Sequence, residues 1–252
     1  MWLDVFFGVM IPFLGTTGGA LCVFLLRKNL SGRAECILSG FAGGVMVAAS
    51  FFSLILPAIE GACDMGRLAF LPASIGFFTG VLFLILIDRI MPYIGFDNIK
   101  KEKNLKLVLA VTVHNLPEGM AVGIAYAGVL YGKNGISVMS AFALAVGIAL
   151  QNFPEGAIVS MPLNACGISK PKSFLLGALS GIVEPIGAAA TIFAAGFFVP
   201  LMPYFLSFAA GAMFYVVIEE LLPHSDGEKV SVGTLSFALG FIVMMALDVG
   251  MR

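Results

Sequence analysis

An imidazole, an amide and a carboxylate fall within five residues at His114, Asn115 and Glu118, inside a long apolar stretch where packing gives no reason for them. On a helix, His114 and Glu118 share a face, and Asn115 lies about 100° round the axis. The set returns 37 residues later as Gln151, Asn152 and Glu155, again within apolar sequence. Each copy also holds a proline, Pro117 or Pro154, which cannot donate to the carbonyl four residues back, so each helix should bend and leave an acceptor exposed. Such an acceptor is tolerated in lipid only where protein or water satisfies it. A third carboxylate, Glu184, stands beside Pro185 in a further apolar run.

A charge at the centre of a bilayer costs about 2.5–3.5 kcal/mol on the insertion scale, and the apolar runs carry no Lys or Arg at that depth to offset three carboxylates. Protonation would remove the penalty. A bound divalent cation removes it as well, and also accounts for His114 and the amides. Nitrogen with carboxylate and amide oxygens suits Zn²⁺ first, with Fe²⁺, Mn²⁺, Co²⁺ and Cd²⁺ behind it. Without thiolates such a site should release its ion readily, as transport requires.

The elements that position these groups follow from composition. With 60% hydrophobic and 12% charged residues over 252 positions, the chain is expected to be an all-α polytopic membrane protein forming one transmembrane domain, residues 1–252. Eight spans fit, roughly 3 to 26, 35 to 59, 68 to 91, 105 to 131, 136 to 161, 173 to 198, 201 to 222 and 231 to 250. The first lacks a basic leader segment and is too long for a signal-peptide core, so it should be retained. Loops after the odd spans carry Arg27, Lys28, Arg33, Arg89, Lys100, Lys101, Lys103, Lys106, Lys170, Lys172 and Lys229, against Arg67, Lys133 and Arg252 on the other face. The positive-inside rule then puts both termini outside the cytoplasm.

A polar cytoplasmic loop, about 92–104, separates spans three and four. Phe41-Ala42-Gly43-Gly44-Val45-Met46 in span two resembles Phe208-Ala209-Ala210-Gly211-Ala212-Met213 in span seven, and each is followed by Leu-Pro, at Leu56-Pro57 and Leu222-Pro223. These spans run in opposite directions, which implies a 3+2+3 arrangement with inverted pseudo-symmetry and a site near the midplane. Gly40 and Gly44, Gly119 and Gly123, and Gly177 and Gly181 read as small-residue pairs for close helix packing. Cys22, Cys36, Cys63 and Cys166 form no ligand pair and read as small apolar fillers.

The two copies His114-Asn115-Leu116-Pro117-Glu118-Gly119 and Gln151-Asn152-Phe153-Pro154-Glu155-Gly156, on consecutive spans of an eight-span chain with Glu184-Pro185 after them, resemble the ZIP (Zrt-, Irt-like) family of divalent-metal importers. The resemblance implies movement of Zn²⁺ or a related ion into the cytoplasm, a multi-pass protein of the plasma or inner membrane, and a homodimer. It also implies two metal positions. His114, Glu118 and Glu155 would surround the transported ion with Gln151 at its edge, while Asn115, Asn152, Glu155 and Glu184 would form the second, Glu155 bridging. Many members have His where Gln151 stands, and an amide is the weaker ligand. Expected partners are the metal and the bilayer, with no nucleic acid.

Other residues carry less. Glu219, Glu220 and His224 could relay the ion, although an interfacial charge cluster is the ordinary reading of them. Met46 reads as core, Ser50 and Ser53 as hydroxyls bonded one turn back, and Trp2, Tyr93 and Tyr204 as interfacial anchors. An intramembrane metalloenzyme is the rival class, but the chain lacks HExxH and has only two histidines, His114 and His224. A metal-gated channel or sensor would use the same ligands. No enzymatic activity is expected.

Overall fold

A computed structural model describes residues 2–25, 31–90, 99–131, 136–197, 199–221 and 230–251, with side chains for all of these except 99–107, 109, 110, 114, 197, 199, 220, 230 and 231. Every regular element among the described residues is helical. In order these are α1 (Trp2–Ala20), α2 (Cys22–Leu25), α3 (Gly32–Ala49), α4 (Leu56–Glu60), α5 (Phe70–Ile90), α6 (Ile99–Tyr131), α7 (Val138–Ala165), α8 (Lys170–Ser180), α9 (Val183–Phe197), α10 (Met202–Val216) and α11 (Val230–Gly250). Short 3₁₀ turns over Cys63–Leu68 and Val199–Leu201 lead into α5 and α10. Helix starts carry ordinary signals: the hydroxyls of Ser31 and Ser137 accept from the amides of Ala34 and Ser140, at 3.2 and 3.0 Å.

Seven helical stretches among the described residues are long and apolar enough to cross a membrane. The remaining long helix, α6, has 33 residues and bears Lys100, Lys101, Lys103 and Lys106 near its start. The chain is therefore a multi-pass membrane protein. Outward faces fit that setting, with Phe6, Phe78, Leu235 and Leu239 all more than half exposed and no polar cover required in lipid.

Four helix pairs dominate the packing: α1 on α7, α6 on α9, α3 on α11 and α5 on α10. Each pair crosses at glycines four residues apart. A Cβ on Gly15 or Gly19 would strike the backbone of Ala149 or Phe153, and one on Gly119 or Gly123 that of Glu184 or Ala188. Gly40 and Gly44 meet Gly233 and Phe237 in the same way, and Gly76 and Gly80 meet Tyr204 and Phe208. Lipid gives no hydrophobic drive for association, so backbone-to-backbone approach is what holds these pairs. Between α3 and α7, and between α10 and α6, lies a core containing Met46, Tyr126, Leu144 and Met213.

The regular α-helix fails at three informative places. Ser50–Ile55 and Val217–Leu221 are π-helical, a feature that residue types alone do not announce. Span six splits between α8 and α9 at Gly181 and Ile182, where Pro185 cannot supply the amide that the Gly181 carbonyl would otherwise take. The Glu184 amide takes it instead, at 3.1 Å, which tightens the turn. By contrast α6 and α7 run on through Pro117 and Pro154 without interruption.

Some expectations need correcting. Only Cys36 is buried, whereas Cys63 and Cys166 sit exposed in the connections, where apolar packing does not bear on them. Ser53 donates to Asp248 Oδ1 at 2.7 Å and not to its own helix, because the π turn and α11 bring a better acceptor within reach. Met46 lies in the core as expected. Trp2 is 67% exposed at the start of α1. Arg27, Lys28, Tyr93, Lys133, His224, Lys229 and Arg252 lie outside the described residues, as does most of the 92–104 loop.

Candidate metal centre

The sequence-predicted groups come together where α6, α7 and the start of α9 meet, and α1 closes the cluster. Gly119 lets the Glu184 backbone come against α6, and Gly156 lets the Thr16 backbone come against α7. The last residue of each Asn-x-Pro-Glu-Gly copy is thus the crossing point of its partner helix. Asn115, Glu118, Gln151, Asn152 and Glu184 are all at most 1% exposed. Glu155 is half-buried on α7 and lies within electrostatic reach of Glu184. His114 is carried by α6, one turn before Glu118, and its side chain lies outside the described residues.

Hydrogen bonds tie one oxygen of each buried carboxylate and leave the other. Gln151 Nε2 donates to Glu118 Oε1 at 2.6 Å. Thr16 Oγ1 and Asn115 Nδ2 both donate to Glu184 Oε1, at 2.7 and 3.2 Å. Asn115 Nδ2 also reaches the Ser180 carbonyl at 3.2 Å, which anchors it across the break in span six. The Asn152 amide lies beside both carboxylates without completing a good bond to either.

What remains is a set of acceptors. Asn115 Oδ1, Glu118 Oε2, Gln151 Oε1, Asn152 Oδ1 and Glu184 Oε2 are buried with no hydrogen-bond partner among the described residues. A buried polar atom left unsatisfied costs about 1–3 kcal/mol, so five in one cluster describe a place built to receive something. Five of the atoms left over are oxygens, two of them from carboxyl groups, against one amide nitrogen, Asn152 Nδ2, a balance of acceptors that suits a cation. Among the described residues no three His, Cys, Asp or Glu side chains converge by themselves, since amides supply much of the cluster.

Two buried polar residues, one in this cluster and one elsewhere, escape a reading of the sequence. Thr16 gives no signal there, being one hydroxyl in an apolar helix. Asp248, 1% exposed near the end of α11, is a further buried acid and bonds Ser53 outside the cluster. Its only trace is a lone acid in span eight. Glu219 is exposed on its π turn, and the side chain of Glu220 lies outside the described residues.

The family model described as ZIP Zinc transporter matches residues 104–248, a segment that begins in α6 and contains both Asn-x-Pro-Glu-Gly copies and Glu184. The chain belongs to the ZIP zinc transporter family. It is 36% identical to the zinc transporter GufA of Myxococcus xanthus, over 92% of this chain and 93% of that protein. It is similarly 33% identical to the zinc transporter ZIP11 of Xenopus tropicalis, over 99% of this chain and 97% of the relative. With the zinc transporter ZIPB of Bordetella bronchiseptica identity is 34%, over 94% and 77%. These relatives are named as transporters and not as enzymes, which agrees with the missing HExxH.

Proposed function

We propose that this ZIP family member carries Zn²⁺ across the membrane into the cytoplasm through a mid-membrane centre on α6, α7 and α9. The five buried acceptor oxygens without partners carry this reading, because a hydrated cation that sheds water needs such a set and little else would. Glu118 and Glu184 supply charge, Asn115, Gln151 and Asn152 supply neutral oxygens, and Glu155 stands at the half-buried edge where an ion would arrive or leave. His114 completes the set by position. The relatives' names supply zinc as the ion; Fe²⁺, Mn²⁺, Co²⁺ and Cd²⁺ are the competitors a selectivity series should test.

The frame proposed for this centre is eight spans in a 3+2+3 inverted arrangement, α6 counting as the fourth, with both termini outside. Helix pairing supports it. Exchanging spans one, two and three with six, seven and eight, and four with five, turns the α1–α7 pair into α9–α6 and the α3–α11 pair into α10–α5. Both π turns lie at matching places, Ser50 and Val217 following the two Phe-Ala motifs by the same interval. A single transmembrane domain over 1–252, a homodimer and a plasma or inner membrane location are further parts of this reading, carried by the family resemblance. Crosslinking in native membrane tests the dimer.

Uptake of ⁶⁵Zn²⁺ into proteoliposomes should saturate with metal and fall to background in Glu155→Ala. Persistence of uptake in that variant would remove the cluster from the transport path.

A further inference from the structure

We infer that Thr16 of α1 is a positioning residue of the metal centre, holding Glu184 so that one carboxylate oxygen stays turned toward the ion. The inference rests on the centre proposed above. Thr16 is fully buried, and its hydroxyl makes the shorter of the two hydrogen bonds to Glu184 Oε1, at 2.7 Å against 3.2 Å for Asn115. With Oε1 held from two directions, Oε2 is the oxygen left without a donor among the described residues. A carboxylate held at one oxygen and free at the other presents a fixed ligand.

The surroundings of Thr16 are shaped for this role. Its backbone lies against Gly156, the last residue of the second Asn-x-Pro-Glu-Gly copy. On the other side a Cβ at Gly181 would lie 2.8 Å from Thr16 Cβ and 3.0 Å from Glu184 Oε1, so any larger residue at the break of span six would part the two. Two glycines from different helices thus make the space in which one threonine reaches one glutamate.

Register gives the second line of argument. Thr16 meets Gly156 and Gly19 meets Phe153; Glu184 meets Gly119 and Gly187 meets Leu116. In the two copies Gly156 matches Gly119 and Phe153 matches Leu116, so Thr16 is the counterpart of Glu184 in the first half of the chain. The two positions are 168 residues apart and bond each other directly. The duplicated frame therefore places a hydroxyl donor opposite the carboxylate it has to orient.

The test is Zn²⁺ binding by titration calorimetry on the purified full-length protein in detergent, alongside ⁶⁵Zn²⁺ uptake. Thr16→Val keeps the shape between the two glycines and deletes the donor. It should weaken zinc binding by about 10- to 100-fold, the range seen when an outer hydrogen bond to a metal ligand is lost. Thr16→Ser keeps the donor and should stay within about twofold of wild type. If the valine variant does not remain monodisperse, Thr16→Ala carries the same comparison. Wild-type affinity in a folded variant lacking the hydroxyl would overturn the inference, as would failure of the serine to rescue. Glu184→Ala separates the two readings: if it too binds zinc normally, the centre itself is misplaced, whereas loss of binding there with none at Thr16 removes only the role of Thr16.

Discussion

Replacing Glu118 by Gln changes one atom from an acceptor to a donor without changing shape, and the structure gives that exchange a sign. Glu118 Oε1 already accepts from Gln151 Nε2 at 2.6 Å, a bond that the substituted amide keeps through its own oxygen. In place of the buried Oε2 it turns an N–H pair into a cluster where Asn115 Oδ1, Asn152 Oδ1 and Glu184 Oε2 all lack donors among the described residues. A new bond to a neutral oxygen contributes about 0.5–1.5 kcal/mol and one to a carboxylate about 1.5–3 kcal/mol. We therefore expect metal-free Glu118→Gln to be more stable than wild type by about 1–3 kcal/mol, at roughly 2–4 °C of Tm per kcal/mol for a chain of this size. Zinc at a hundred times its dissociation constant should stabilise the wild type by about 2.7 kcal/mol and the variant hardly at all. The lead of the variant then closes or reverses when zinc is added. Thermal unfolding in detergent, followed by helical circular dichroism with chelator and then with zinc, reads both numbers. A metal-free variant that melts below wild type, or an equal zinc shift in both proteins, would refute the reasoning.

Gly156→Ala should cost about 1–3 kcal/mol and also impair zinc binding, since a Cβ there lies 2.8 Å from the Ala20 amide nitrogen and 2.9 Å from the Thr16 carbonyl carbon and must push α1 off α7. Gly250→Ala, where a Cβ meets nothing within 4 Å, is the control and should stay within about 0.5 kcal/mol by the same melting assay. Ser53→Ala removes one donor to buried Asp248, at 2.7 Å, and should lower stability by about 1–3 kcal/mol in the same assay.

The groups that sequence reveals and those it hides differ for a physical reason. A charge or amide in apolar sequence is costly, so Asn115, Glu118, Gln151, Asn152, Glu155 and Glu184 stand out by residue type and setting alone. Pro185 stands at the break in span six, but α6 and α7 pass Pro117 and Pro154 uninterrupted, so the proline alone does not announce the break. A hydroxyl costs little in a helix, where it can bond the carbonyl one turn back, so Thr16 looks like any other small residue of span one. Only the crossing of α1 with α7 and α9 turns it toward Glu184. The π turns are hidden because α and π helices call for the same residue types. Asp248 sits near the end of span eight and passes for an interfacial charge.

The pairing of Thr16 with Glu184 also bears on why a duplicated frame carries unlike residues at matching positions. Glu118, Glu155 and Glu184 already bring three carboxyl groups to one region, more charge than one divalent ion would neutralise if all were ionised. A fourth at position 16 would come against Glu184 Oε1, which the Thr16 hydroxyl now approaches to 2.7 Å, and two carboxylates in contact there would need a shared proton or a cation to be tolerated. A hydroxyl at that place removes the conflict and donates as well. In the metal centre proposed above, that departure from exact symmetry would keep one more carboxylate away from an ion that has to leave again.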